Sequence, residues 1–281
     1  MADTALVLGG GGITGIGWES GMLAGLAAAG VDLTTAHTVI GTSAGSIVGA
    51  QLSSGLLDLD ALYERQLADH ADEVAVHIGT TLASRYVWGA LRSRDSRTFG
   101  ARMGRMALAA RTVPERDRRA VVERRLLSHD WPAERRLLVT AVNAATGEFT
   151  AFDATSGVGI VDAVAASCAV PGVWPPVTID GKRYIDGGVR SAANADLADG
   201  CGRIVVLAPI SAGGGPIPTV RAQAAALTAA GARVTVLMPD RASRAAFGRN
   251  PLDPARRAAA ARAGRAQAAA HAEVVAGVWA G

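Results

Sequence analysis

Cysteine, aromatic residues and long apolar runs are all scarce in this sequence. The two cysteines, Cys168 and Cys201, are too few for a disulfide framework and lack the spacing of a metal site, so free thiols are expected. No run of about 18 uninterrupted apolar residues occurs, which predicts no transmembrane helix. The first residues lack a basic region followed by an apolar stretch, which predicts no signal peptide. Together these absences favour a protein of the reducing cytoplasm.

An excess of charge of one sign is lacking too. The formal net charge is only +3, from 28 Lys and Arg against 25 Asp and Glu, and no basic stripe is interleaved with aromatic residues. We therefore predict no nucleic-acid partner, while a transient attraction to anionic membrane surfaces stays open. The 281 residues are 49% hydrophobic, which is ample for the core of one domain, although composition says little about oligomeric state.

Short apolar runs bounded by glycine or proline predict buried strands, at 4–8, 37–41, 203–209 and 232–239. Helical patterns follow or precede them, at 15–29, 44–54 and 219–230. This succession of strand, glycine turn, helix and strand is typical of an α/β fold with a mostly parallel sheet and crossover helices. We also predict hairpins at 135–154 and 177–188, a helix at 159–172, and a long Ala- and Arg-rich helix with a solvated face at 254–276.

Residues 56–135 have a different character from the rest of the chain. They contain helical patterns rich in arginine and no clear strand. We therefore predict a helical cap or insertion at about 56–135, within a single domain that spans residues 1–281.

A run of glycines at 9–15 follows the first strand and opens a helix. The start of a helix exposes unpaired N–H groups, and glycines let that backbone approach an anion, either a phosphate or a transient oxyanion. Gly10, Gly12 and Gly15 match a dinucleotide-binding fingerprint, but the second strand ends in Gly-Thr-Ser instead of the acidic residue that this fingerprint requires. A nucleotide-binding domain therefore stays open only as an alternative.

The pentapeptide at 41–45, Gly-Thr-Ser-Ala-Gly, lies between a predicted strand and a predicted helix. This is the context of a nucleophile elbow, in which Ser43 would be the nucleophile and Gly41 and Gly45 the small neighbours that its strained turn needs. The N–H of Ala44, with those of Gly10, Gly11 and Gly12, could form an oxyanion hole. The simpler interpretation is a strand-to-helix turn whose serine caps the helix.

A nucleophilic serine needs a base, and the five histidines are poor candidates for it. The order Ser43, Asp186, His271 fits an α/β-hydrolase triad, but the serine comes early for that fold and His271 lies in a predicted helix. Three others, His70, His77 and His129, lie in the predicted cap, and His37 begins a strand. Asp186 is the better candidate, because it ends a strand before two glycines, whereas Asp180 already serves a turn.

Three ordered motifs make this chain resemble the patatin-like phospholipase family: GGGGITG at 9–15, GTSAGS at 41–46 and DGG at 186–188. The stretch 165–188 is similar to the family's approach to its aspartate. The resemblance covers most of the chain and implies a three-layer α/β/α sandwich and a Ser43–Asp186 dyad. It further implies an acyl-enzyme on a lipid or ester substrate, no cofactor or metal, and supporting roles for Gly15, Gly187 and Gly188.

The sequence departs from the family pattern at two positions. Thr14 stands where the family often has a basic residue, and Asn194 lacks the proline expected two residues later, so we expect it to cap the following helix. The apolar segment 74–91 is expected either to line an acyl pocket or touch lipid, or simply to pack on the core. Trp18 and Trp174 are expected either to shape the pocket wall or to pack in the ordinary core. A non-catalytic regulatory protein of the same fold stays open as an alternative.

Overall fold

An eight-stranded sheet forms the middle layer of the protein in a computed structural model, which describes residues 3–68, 76, 79–211 and 213–280. The strands run in the order β5-β6-β3-β2-β1-β7-β8, with β4 paired to β3. The five strands from β3 to β8 in this order are parallel, and the hairpin strands are antiparallel. The strands are β1 (Thr4–Leu8), β2 (Thr38–Gly41), β3 (Arg136–Asn143), β4 (Phe149–Phe152), β5 (Val177–Ile179), β6 (Lys182–Asp186), β7 (Arg203–Leu207) and β8 (Arg233–Leu237).

Helices cover the sheet and fill the segment between β2 and β3. In the described part of 56–135 there is no strand, and helices α3–α6 lie there. No helix among the described residues is both long and apolar enough to cross a bilayer. The helices are α1 (Gly12–Ala28), α2 (Ala44–Ser53), α3 (Leu59–Leu67), α4 (Thr80–Leu91), α5 (Ser96–Ala109), α6 (Glu115–Arg125), α7 (Ile160–Ser167), α8 (Val220–Ala229), α9 (Arg241–Phe247), α10 (Arg257–Ala268) and α11 (Ala272–Trp279).

Alternate residues of the central strands enter two different cores. On β1, Leu6 and Leu8 belong to the larger core, whereas Ala5 and Val7 belong to the core on the opposite face of the sheet. All four side chains are fully buried. A strand whose two faces are both covered must lie between two layers of helices, because successive side chains of a strand point to opposite faces. The fold is therefore the three-layer α/β/α sandwich that the resemblance implied.

The C-terminal helical segment packs much more closely than its composition suggested. The predicted helix 254–276 is divided into α10 and α11. α10 keeps a solvated side, on which Arg262 and Ala266 are exposed, but its other side is buried. A Cβ on Gly21 of α1 would lie 2.0 Å from the carbonyl oxygen of Ala261, and one on Gly17 would lie 2.6 Å from that of Arg257. These glycines, with Gly25 one turn further, let the backbones of α1 and α10 approach directly, so that alanines suffice to fill the contact.

The register of β3 brings two distant segments together. Gly41, the last residue of β2, pairs with Val139, and Asp186, the last residue of β6, pairs with Ala141. Two strands that are far apart in the sequence therefore end beside the same short stretch of β3. The residues that follow β2 and those that end β6 meet there, and this meeting point is the candidate site.

Candidate active site

Ser43 occupies the strained turn between β2 and α2. Its backbone has φ 53° and ψ −113°, a conformation that non-glycine residues rarely adopt and that marks functional turns. The turn permits no larger neighbours: a Cβ on Gly45 would lie 2.1 Å from the Leu8 carbonyl oxygen, and one on Gly41 would lie 2.5 Å from the Ser46 Cα. The G-x-S-x-G spacing is thus required by close backbone packing around Ser43.

Three neighbouring side chains hold the backbone of this turn. The N–H of Ser43 donates to the Ser167 hydroxyl at 2.8 Å. Its carbonyl oxygen accepts from the Ser46 hydroxyl at 2.6 Å and from the Cys168 thiol at 3.3 Å. Ser43 itself makes no side-chain capping bond to α2, so its hydroxyl is available for another partner.

That partner is the carboxylate of Asp186. Burial raises the pKa of Asp186 from 3.8 to about 6, although hydrogen bonds from the Ser43 hydroxyl and from the Gly188 N–H lower it. The Gly188 N–H lies 2.7 Å from Oδ1. Gly187 packs so tightly that a Cβ there would lie 2.2 Å from the Thr140 hydroxyl. The result is a buried carboxylate beside the serine that is mostly ionised at neutral pH, which are the properties that a general base requires.

The glycine loop offers fewer free N–H groups than the sequence predicted. The N–H of Gly10 donates to the Ala192 carbonyl oxygen at 2.7 Å, so the expectation that Gly10 contributes to an oxyanion hole is wrong in this structure. Gly11, Gly12 and Ala44 also line the cavity beside Ser43. Gly12 and Ala44 begin α1 and α2, where N–H groups have no acceptor within the helix, so these positions remain suited to bind an oxyanion.

Thr14 anchors the glycine loop in place of the basic residue that the family often has. Its N–H donates to the Pro251 carbonyl oxygen at 3.1 Å, and its hydroxyl donates to the Gly11 carbonyl oxygen at 3.3 Å. Gly15, one residue later, lies against Pro209 and Ala44. The loop is therefore held by neutral hydrogen bonds from the main chain and the hydroxyl of Thr14, which support it without a cation.

A largely apolar cavity of about 330 Å³ opens beside Ser43 and Asp186. Trp174 lines this cavity, which is one of the two positions expected for it. Trp18 does not: it is fully buried in the core, where its indole N–H donates to Gln267 and its ring makes an edge contact with Phe247. The apolar lining residues of the cavity also include Ile13, Ile16, Ile47, Tyr86, Phe99, Val170, Pro171 and Leu252. Such a wall fits a hydrocarbon chain or another apolar group.

Two cations also border this apolar cavity. Arg118 is buried with its guanidinium 4.0 Å from the Trp174 ring, and Arg125 lies about two turns further along α6. Burial raises the pKa of the Cys168 thiol to about 11, and the charge of Asp186 adds to this, whereas the two arginines oppose it. Cys168 therefore remains a neutral thiol that supports Ser43, and both cysteines are free as expected.

The prediction that Asn194 caps the following helix is wrong, because this buried asparagine has another role behind the site. Asn194 makes no side-chain capping bond to the turn that follows it. Instead its Nδ2 donates to the Thr42 hydroxyl at 3.0 Å and to the Gly187 carbonyl oxygen at 3.2 Å. These are the residues directly before Ser43 and directly after Asp186. Asn194 thus links the two segments that carry the candidate dyad, a role that no local pattern could reveal.

None of the described histidines lines the cavity. His271 contacts Gln267 at 3.3 Å, His37 is bonded to Thr4, and His129 contacts the carbonyl oxygen of Glu123. The remaining two, His70 and His77, lie outside the described residues. The geometry of the described residues therefore gives the triad with His271 no support.

Comparisons with known proteins agree with this geometry at the level of the family. The sequence model of a family described as "Patatin-like phospholipase" matches residues 6–199, which is more than half of the chain. No curated protein matches the sequence significantly.

Two solved structures are similar to this chain at low sequence identity. VipD from Legionella pneumophila is 13% identical with a TM-score of 0.48; the match covers 97% of this chain and 67% of VipD. The type III effector protein ExoU is 17% identical with a TM-score of 0.46; the match covers 98% of this chain and 53% of ExoU. The present chain thus spans about half the length of ExoU.

Proposed function

The chain belongs to the patatin-like phospholipase family, and we propose that it is a serine acyl hydrolase in which Ser43 and Asp186 form a catalytic dyad. The observation that carries the proposal is the strained Ser43, which lines one cavity with a buried carboxylate whose pKa of about 6 suits a base at neutral pH. Neither feature is needed for folding alone, since both cost stability.

In the proposed reaction Asp186 takes the proton of the Ser43 hydroxyl while the serine oxygen attacks the carbonyl carbon of an ester. The N–H groups of Gly11, Gly12 and Ala44 stabilise the negative charge of the tetrahedral intermediate. The protonated Asp186 returns the proton to the leaving alcohol, and an acyl group remains on Ser43. Water, deprotonated by Asp186, then releases the carboxylic acid and restores the serine.

The cavity wall supports a lipid ester as the substrate, such as a phospholipid or lysophospholipid. Apolar side chains suit an acyl chain, and the cations of Arg118 and Arg125 suit an anionic group near it. The predicted location in the cytoplasm stays a prediction.

The proposal is tested by treating the protein with a fluorophosphonate and measuring its intact mass. We expect a single adduct on the peptide that contains Ser43, and its loss in Ser43→Ala. Ser20→Ala is the matched control, because Ser20 is also a buried serine but its hydroxyl donates within its own helix to Ile16.

Two outcomes would contradict the proposal in different ways. Loss of labelling in His271→Ala would replace the dyad by a histidine triad. A folded wild-type protein that forms no adduct and hydrolyses no lipid ester would favour a non-catalytic regulatory protein of the same fold.

A further inference from the structure

The helix α4 exposes large hydrophobic side chains along one side. Val87 is 60% exposed, Trp88 55% and Leu91 78%. Since successive helical residues are rotated by about 100°, these three positions fall within roughly one quarter to one third of the helix circumference. Isolated exposed hydrophobic residues are ordinary, but three together on one side of a helix form a patch that a water-facing helix does not need.

The opposite side of α4 belongs to the wall of the active-site cavity. Tyr86 lines the cavity, and its hydroxyl donates to the Pro171 carbonyl oxygen at 3.0 Å. Gly89 packs against Met103 of α5, where a Cβ would lie 2.5 Å from Met103 Cε. One helix therefore contacts the cavity on its inner side and presents an apolar patch on its outer side.

The surroundings of the patch are cationic. Arg85, Arg92 and Arg94 are exposed, and the guanidinium of Arg92 lies 3.9 Å from the Trp88 ring. Residues 80–111 contain seven arginines and only one acidic residue, Asp95. This excess is local, because the net charge of the whole chain is only +3. A protein partner would need a complementary apolar groove rimmed by acids, whereas an anionic bilayer supplies apolar depth and negative charge at once.

We propose that the outer face of α4, formed by Val87, Trp88 and Leu91 and flanked by Arg85 on the helix and by Arg92 and Arg94 just after it, docks on the surface of an anionic lipid bilayer. The apolar side chains enter the boundary between head groups and acyl chains, Trp88 lies at head-group level, and the arginines contact lipid phosphates. Docking places α4, which lines the cavity, directly against the membrane surface. The inference rests on the proposed function for its purpose, but the docking itself requires no turnover.

The test is co-sedimentation of the protein with vesicles, in the Ser43→Ala background so that the lipid stays intact. Equimolar phosphatidylglycerol and phosphatidylcholine vesicles are compared with pure phosphatidylcholine. We expect binding to the anionic vesicles that weakens as salt is added. The substitutions Val87→Ser and Leu91→Ser should each lower the partition coefficient by about tenfold, because each removes an apolar side chain from the lipid.

The chain offers matched controls for both substitutions. Val274→Ser changes a valine of similar exposure, 58%, on the helix α11, and Leu56→Ser changes a leucine that is 61% exposed. Neither control should change vesicle binding. Hydrolysis of a water-soluble ester by proteins with an intact Ser43 should be equal in all four variants, which separates a failure of docking from a failure of catalysis.

Three outcomes would overturn the inference. The first is no binding to anionic vesicles, and the second is equal weakening by Val87→Ser and Val274→Ser. The third is a concentration-dependent dimer that Val87→Ser dissociates, because a second copy of the chain would then cover this face.

Discussion

Replacing Asp186 by asparagine should make the protein more stable while it removes the activity. The substitution keeps the size of the side chain and an oxygen that can accept the Gly188 N–H at the position of Oδ1. It removes the buried negative charge, which is the feature that a base needs and that folding disfavours. Stability and catalysis are therefore expected to change in opposite directions at this one residue.

The size of the stability change follows from the pKa. Burial raises the pKa of Asp186 from 3.8 to about 6. At about pH 3 and below, the carboxyl is mostly neutral in both folded and unfolded chains, so the two proteins should be about equally stable. Above about pH 6 the ionisation of the carboxyl favours the unfolded chain, because the pKa there is about two units lower than in the folded protein. At about 1.4 kcal/mol per unit, this difference lowers the free energy of unfolding of the wild type by about 3 kcal/mol. Asp186→Asn should be more stable than wild type by up to this amount at neutral pH.

The activity should follow the same titration. In wild type kcat/KM for a water-soluble ester should fall about tenfold for each pH unit below 6, since only the ionised Asp186 accepts the serine proton. In Asp186→Asn the loss should be roughly 10²- to 10⁴-fold at neutral pH. Urea unfolding at about pH 3 and about pH 7.5 measures the change in stability, and a pH–rate profile measures the change in activity.

Asp180→Asn is the matched control for this experiment. Asp180 is an exposed turn residue with φ 48°, which asparagine adopts readily, so neither activity nor stability should change. A flat pH–rate profile through pH 6, or an Asp186→Asn protein that keeps its activity or gains no stability at neutral pH, would refute the reasoning.

Three further predictions concern residues around the site and the core. Burial raises the pKa of Glu19 well above 4.5. In urea unfolding, the stability advantage of Glu19→Gln over wild type should therefore grow by about 1.4 kcal/mol per pH unit above 4.5, until Glu19 ionises in the folded protein as well. An advantage that is the same at pH 5 and pH 7 would contradict this. Gly21→Ala should lower the free energy of unfolding by about 2 kcal/mol or more, because its Cβ would clash with the Ala261 carbonyl oxygen. Gly277→Ala, whose Cβ has no neighbour, should raise it by roughly 0.5–1 kcal/mol. Thermal unfolding measures both changes. Asn194→Asp should lower kcat for a soluble ester about tenfold or more with little change in KM, and a change in KM alone would refute its positioning role.

Local patterns were sufficient to predict most of the secondary structure and the two candidate catalytic residues. The strand at 4–8 has the bounds of β1, because an apolar run between polar and glycine residues depends on nothing distant. Ser43 and Asp186 could be selected for a similar reason. Both positions require small adjacent residues, which the sequence shows as Gly41 and Gly45 around Ser43 and as Gly187 and Gly188 after Asp186.

The remaining features depended on contacts between segments that are far apart in the sequence. The Ala192 carbonyl takes the N–H of Gly10, and the amide of Asn194 binds the segments of Ser43 and Asp186. The glycines of α1 let the backbone of α10 pack directly against α1, so one side of a helix that was expected to bury little area is buried. A hydrogen bond or a close contact has two partners, and a sequence pattern describes only one of them. The composition and turns of the chain therefore determined its helices and strands and pointed to its candidate catalytic residues. Tertiary packing decided which N–H groups are engaged in hydrogen bonds and which helix lines the cavity.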